Sequence, residues 1–131
     1  MSKFDFGWGS GTTLSALPYK DMVASTRDNY DFVSQVLDAA KAHNTNFDPF
    51  SYNDDAMWWG TAAIYAHRSY GDQKFLQYAT DVWNWVQNSQ VTPEQAAAGK
   101  SPVREQAIKG ECNGKSVAGG MSGIRPWRDP N

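Results

Sequence analysis

One cysteine, two histidines and no long apolar run deprive several explanations of this 131-residue chain of their material. Cys112 alone cannot close an internal disulfide, and oxidising compartments usually pair their thiols, so the chain does not read as a disulfide-stapled scaffold. His43 and His67 fall on different predicted elements, with no Cys or carboxylate at ligand spacing, which argues against a metal site. No stretch is apolar for the length a bilayer needs, and the start, MSKFDFGWGSG, lacks the apolar core of a signal peptide. Taken literally, that start places the chain in the cytoplasm. Charge of one sign is missing too. Twelve basic against fourteen acidic residues give a net charge of −2, with no general pull toward nucleic acid or an anionic membrane. The balance is uneven, with six Lys/Arg and eleven Asp/Glu in residues 1–99 and six against three in 100–131, but the basic end is too dilute for a binding arm. Gly119-Gly120 has no Walker or dinucleotide pattern around it, and Lys115-Ser116 precedes the glycines, so phosphate binding is not expected.

What the chain has in plenty is aromatic side chains, 14% of the residues with six Trp, and those rings need either a core or a ligand. A single domain of this length buries about two thirds of its unfolded surface. Residues 1–18, rich in Gly, Ser and Thr, predict a loosely held opening segment. Tyr30, Val33, Val36, Leu37 and Ala40 then follow one face of a 3.6-residue helix, which predicts helix over 19–42 with a break near Ser25-Thr26. His43 to Asn53 reads as a connection. A second helix is expected over 54–70, where Gly60, Thr61, Ala62 and Ala63 would let a neighbour approach closely. Gly71 stops it, and Asp72 caps a third helix over 73–89 whose stripe is Phe75, Leu76, Ala79, Val82, Trp83 and Val86. So short a connection forces the two into an αα-hairpin. Trp83 is expected in the core and Trp85 at the periphery. Thr92-Pro93-Glu94 opens a short helix through Ala98, and the remainder of 91–131 is a loop-rich tail with five Gly between Lys109 and Gly123.

Within this frame Asp54-Asp55 has two explanations. Carboxylates at a helix start accept hydrogen bonds from free N–H groups and interact well with the helix dipole, so capping is the simpler one. The chemical one uses the same place differently. Adjacent carboxyls can point into one cleft, where a retaining glycosidase needs a nucleophile and an acid/base about 5–5.5 Å apart. Such a pair would titrate unequally, one held ionised and the other raised by like-charge repulsion. Trp58 and Trp59 diverge by about 100° on a helix, so both cannot face the core. They read either as interhelical packing rings or as the wall of a sugar subsite.

The segment YNDDAMWWGTAAIYAHRSYGDQKFLQYATDVWNWVQ, Tyr52 to Gln87, resembles glycoside hydrolase family 76, the endo-α-1,6-mannanases and their fungal cell-wall relatives. The shared order is an Asp-Asp pair at a helix start, a Trp soon after, and a Gly-Asp hairpin leading into a helix. ECNGKSVAGG, Glu111 to Gly120, is similar to the Cys-containing loop of fungal members that ends in Gly-Gly beside the cleft. The resemblance implies an all-α, (α/α)6 toroid of helical hairpins, an α-1,6-linked mannan as substrate and no cofactor. It implies Asp54 as nucleophile and Asp55 as general acid/base, with Trp58, Trp59, Gly119 and Gly120 against the substrate. It also implies an extracellular or cell-wall location. One hairpin takes about 36 residues, so six would outrun the 131 present, and the chain is expected to be an N-terminal portion of such an enzyme.

Two readings compete with a mannan-acting hydrolase. A non-catalytic helical remnant, binding glycan or protein through unfilled helix faces, would expose large apolar patches. A tetratricopeptide-like protein would repeat its hairpin at a fixed period, and only one such hairpin is legible.

Overall fold

The computed structural model describes residues 6–45, 47–49 and 52–123. Among them, helix α1 spans Trp8–Ala24, α2 Tyr30–His43, α3 Asn53–Tyr70, α4 Gln73–Gln87 and α5 Pro93–Ala97. The strands β1 (Glu111–Cys112) and β2 (Lys115–Ser116) form a small antiparallel hairpin, so the architecture is all-α with a minor β element.

Helix begins earlier than composition predicts. Residues 8–18 were expected to be loose, yet α1 starts at Trp8 and continues through Pro18. Its cause is tertiary. Gly11, Leu14, Pro18 and Asp21 make one buried stripe, and burying that stripe outweighs the poor helix propensity of WGSGTT. At Gly11 a Cβ would stand 3.2 Å from both the backbone N and the ring of Trp59, so a larger residue would press α1 and α3 apart by a few tenths of an ångström.

The break expected near Ser25-Thr26 is present, with Ser25 at φ 54 ending α1. The turn after it is organised by Asp21, which is fully buried. Asp21 accepts hydrogen bonds from the Asn29 N–H and Nδ2 (each 2.8 Å), the Thr26 hydroxyl (2.9 Å) and the Tyr70 hydroxyl (2.8 Å). Burial pushes this carboxyl up, but the donors together outweigh it and hold Asp21 well below the usual carboxylate range.

Gly71, at φ 77, terminates α3, and the Asp72 carboxylate accepts from the Lys74 N–H at 3.0 Å to start α4. The two helices fold back antiparallel. Gly60, eleven residues before Gly71, meets Val82, eleven residues after it, so closely that a Cβ would lie 3.0 Å from Val82 Cγ1. Phe75, Ala79, Val82 and Val86 are buried against the small-residue side of α3. Trp83 is not. It is 50% exposed, while Trp85 packs partly against the core, which reverses the expectation for both rings. The apolar stripe of α4 is wider than the surface α3 offers, and Leu76 and Trp83, each one position past a buried residue, turn about 100° away from it.

Three contacts show that α1 runs parallel to α3. Gly11 lies on Trp59, the Tyr19 ring meets Tyr65 edge-on at 5.6 Å, and Asp21 binds Tyr70, so the register advances in the same direction on both helices. The first turns of α1 and α3 therefore share one end of the bundle. Helix α2 covers the core with Val33, Leu37 and Ala40 and is tied to α4 by Lys41–Asp81 (2.7 Å) and Lys74–Asp38 (2.9 Å). No described helix is long and apolar enough to cross a membrane.

Candidate functional site

The start of α3 is where the sequence-predicted residues gather. Its first helical residue, Asn53, is buried and holds the tail. The Asn53 N–H donates to the Gly123 carbonyl at 2.8 Å, and Asn53 Nδ2 donates to the Ser122 carbonyl at 2.5 Å. Asn53 Oδ1 is buried too and accepts no hydrogen bond among the described residues. Gly123 in turn lies beside Asp54, since a Cβ there would be 3.9 Å from Asp54 Oδ1.

Asp54 and Asp55 both stand in the first turn of α3, where the helix dipole favours an anion, but neither serves as its N-cap. Helix α3 takes Tyr52 as its N-cap with no side-chain cap, and no backbone N–H among the described residues donates to Asp54 or Asp55. The first free N–H of the helix goes to the tail carbonyl of Gly123 instead. Asp54 is exposed and Asp55 half-buried. A third carboxylate, Asp48, stands behind them, fully buried, with its Oδ2 accepting from the Tyr52 N–H at 2.7 Å. Burial pushes Asp55 above the usual carboxylate range, and the negative charges of Asp48 and then Asp54 push it in the same direction. The two adjacent carboxyls thus occupy unequal environments, one open to water and one disfavoured as an anion.

The tryptophans divide. Trp59 is fully buried, its ring stacked on Phe47 at 6.4 Å between centroids, with Nε1 donating to the Phe6 carbonyl at 3.2 Å. No face of it is left for a ligand. Trp58 is 42% exposed and, four residues after Asp54, shares a helix face with it.

Gly119 and Gly120 are held by Val91, which follows α4. The Gly119 N–H donates to the Val91 carbonyl (2.8 Å) and the Val91 N–H to the Gly120 carbonyl (2.9 Å). These bonds anchor the strand-like run that carries Ser122 and Gly123 to Asn53. The glycines border the site by fixing the segment that forms its wall. The last eight residues, 124–131, lie outside the described residues.

Two contributors were not legible in the sequence. Asp48 sits in a stretch that reads only as a connection, and Asn53 is hidden by the more conspicuous pair after it. Among the described residues, no three His, Cys, Asp or Glu side chains group so as to hold a metal ion. No family model, curated protein or solved structure matches the chain.

Proposed function

We propose that the start of α3 is the acid pair of a retaining glycoside hydrolase acting on α-1,6-linked mannan, carried on helical hairpins of a partial (α/α)6 toroid. The observation that carries this reading is the unequal environment of two adjacent carboxyls that no helix cap consumes. Asp54, open to water, is the nucleophile. Its carboxylate attacks the anomeric carbon while Asp55, whose charged form burial, Asp48 and then Asp54 disfavour, acts in its acid form and gives its proton to the departing glycosidic oxygen. Asp55, now an anion, takes a proton from water as that water attacks the anomeric carbon and releases Asp54. The exposed Trp58 offers an apolar ring face to the sugar.

The test is cleavage of α-1,6-mannan by the protein. Asp54→Asn and Asp55→Asn should each abolish it without loss of fold, because an amide neither attacks the anomeric carbon nor donates that proton. Substantial cleavage by both single variants would return the pair to a structural role.

A second reading, the non-catalytic binding module, is favoured by one feature. A groove of about 520 Å³ runs between α3 and α4, lined by Met57, Ile64, Tyr65, Arg68 and Trp83 among others, and most of that lining is apolar. An open apolar face of this kind suits association through the hairpin.

A further inference from the structure

The outward side of the α3–α4 hairpin exposes four large apolar side chains, Met57 and Ile64 on α3 and Leu76 and Trp83 on α4. The hydroxyls on that side are already satisfied, since Thr61 donates to the Met57 carbonyl and Thr80 to the Leu76 carbonyl, each at 2.9 Å within its own helix. The ionic side chains of α4 point elsewhere, Lys74 to Asp38 and Asp81 to Lys41, both on α2. On α3, Asp54, Trp58, Thr61, Tyr65 and Arg68 advance by four, three, four and three residues, which keeps them on one helix face. The groove between the helices is lined by Thr61, Tyr65 and Arg68 together with Trp83, so this face and the exposed side of α4 open in the same direction. Asp54 and Arg68 are both exposed, and neither makes an ion pair among the described residues. The surface is therefore apolar in its middle, with one anion at the start of α3 and one cation near its end.

We infer that this face docks a second copy of the chain, the two α3 helices lying antiparallel about a two-fold axis at Thr61. Thr61 is midway between Asp54 and Arg68, seven residues from each, which is about 10.5 Å along the helix. An axis at that point sets Asp54 of one copy against Arg68 of the second, and the same register sets Trp58 against Ile64 and Met57 against Tyr65. Each contact occurs twice, so both ion pairs form together. A parallel pairing would oppose Asp54 to Asp54 and Arg68 to Arg68, so charge selects the antiparallel direction, and opposed helix dipoles favour it too. Thr61, small and with its hydroxyl turned to its own helix, lets the backbones approach at the axis. The stripe is about 21 Å long, and two helices packed about 8–10 Å apart make a face roughly 20 Å across, the small end of specific interfaces, so the association is reversible and micromolar. Its uncharged middle, rich in Met and Trp, has the composition of an interface core. The inference rests on the second reading above, to which it gives a partner, and is independent of the glycan-cleaving one. Where both hold, the second copy covers Asp54 and competes with glycan for that end of α3.

The experiment is sedimentation-velocity ultracentrifugation of the 131-residue chain from micromolar to millimolar concentration. It compares wild type, Asp54→Arg, Arg68→Glu, an equimolar mixture of those two variants, and Trp83→Glu. Wild type should pass from monomer to dimer. Asp54→Arg puts two cations on each copy and Arg68→Glu two anions, so each variant alone should lose about tenfold or more in dimer affinity. In the mixture every facing pair is again opposite in charge, and the dimer should return. Trp83→Glu, a charge set in the apolar middle, should stay monomeric. All three positions are exposed, and far-UV circular dichroism confirms the fold of each variant. Added sodium chloride should loosen the wild-type dimer, a readout that needs no variant. A wild type that stays monomeric overturns the inference, as does association that salt leaves unchanged. Charge variants that dimerise as wild type does, a mixture that remains monomeric, or an unweakened Trp83→Glu dimer also overturn it. The carboxylate reading fails separately, on mannan cleavage by the Asn variants.

Discussion

Replacing Trp59 with Ala removes the largest fully buried side chain among the described residues. A Trp buries about 150–250 Å² on folding, and at about 25 cal/mol per Å² its complete burial corresponds to roughly 4–6 kcal/mol. The bond from Nε1 to the Phe6 carbonyl adds about 1 kcal/mol, and its loss leaves that carbonyl without its indole donor. Partial collapse of Phe47 and the Gly11 backbone into the space would offset some of this. A net loss of about 3–5 kcal/mol is expected, which is a large share of the roughly 5–15 kcal/mol that holds a domain together. Trp83→Ala is the matched control. The same chemical deletion at a half-exposed ring should cost about 1 kcal/mol, since much of that ring is already in water. Urea unfolding followed by far-UV circular dichroism measures both, with the m-value as a check that the unfolded state is unchanged. Equal losses in the two variants, or a larger loss at Trp83, would refute the assignment of Trp59 to the core and of Trp83 to the surface.

Two further outcomes follow from the geometry. Asp55 binds its proton more tightly folded than unfolded, so the folded state is favoured below the raised value and loses that advantage as pH rises through it; Asp55→Asn should therefore raise the melting temperature at pH 7, with the gain vanishing in acid, and a gain that persists at low pH would contradict the cause given. Gly71→Ala should cost about 1–2 kcal/mol in the same urea assay, because a Cβ meets nothing within 4 Å there and only the left-handed φ of 77 resists it, so a neutral result would mean that the turn relaxes.

Local chemistry was enough to read the α3–α4 hairpin. Gly71 and Asp72 act within a few residues of themselves, one by tolerating a positive φ and the other by accepting the Lys74 N–H, and such signals survive without tertiary context. Periodicity likewise located α2 and the α4 stripe, but it could not say how wide a strip of α4 would be covered. That depended on the narrow surface of Gly60 and its neighbours, and it sent Trp83 outward and Trp85 inward. Composition misread the start of α1, where burial of Gly11, Leu14 and Asp21 overrides weak propensity. At the candidate site the sequence alone offered Asp54-Asp55 and left capping and chemistry open, because both uses place carboxylates at a helix start. Long-range packing supplies the surroundings of the pair. The tail carbonyl of Gly123 occupies the first free N–H of α3, and Asp48 arrives from a connecting stretch to disfavour the charge on Asp55, neither of which has a signature within a few residues of the chain.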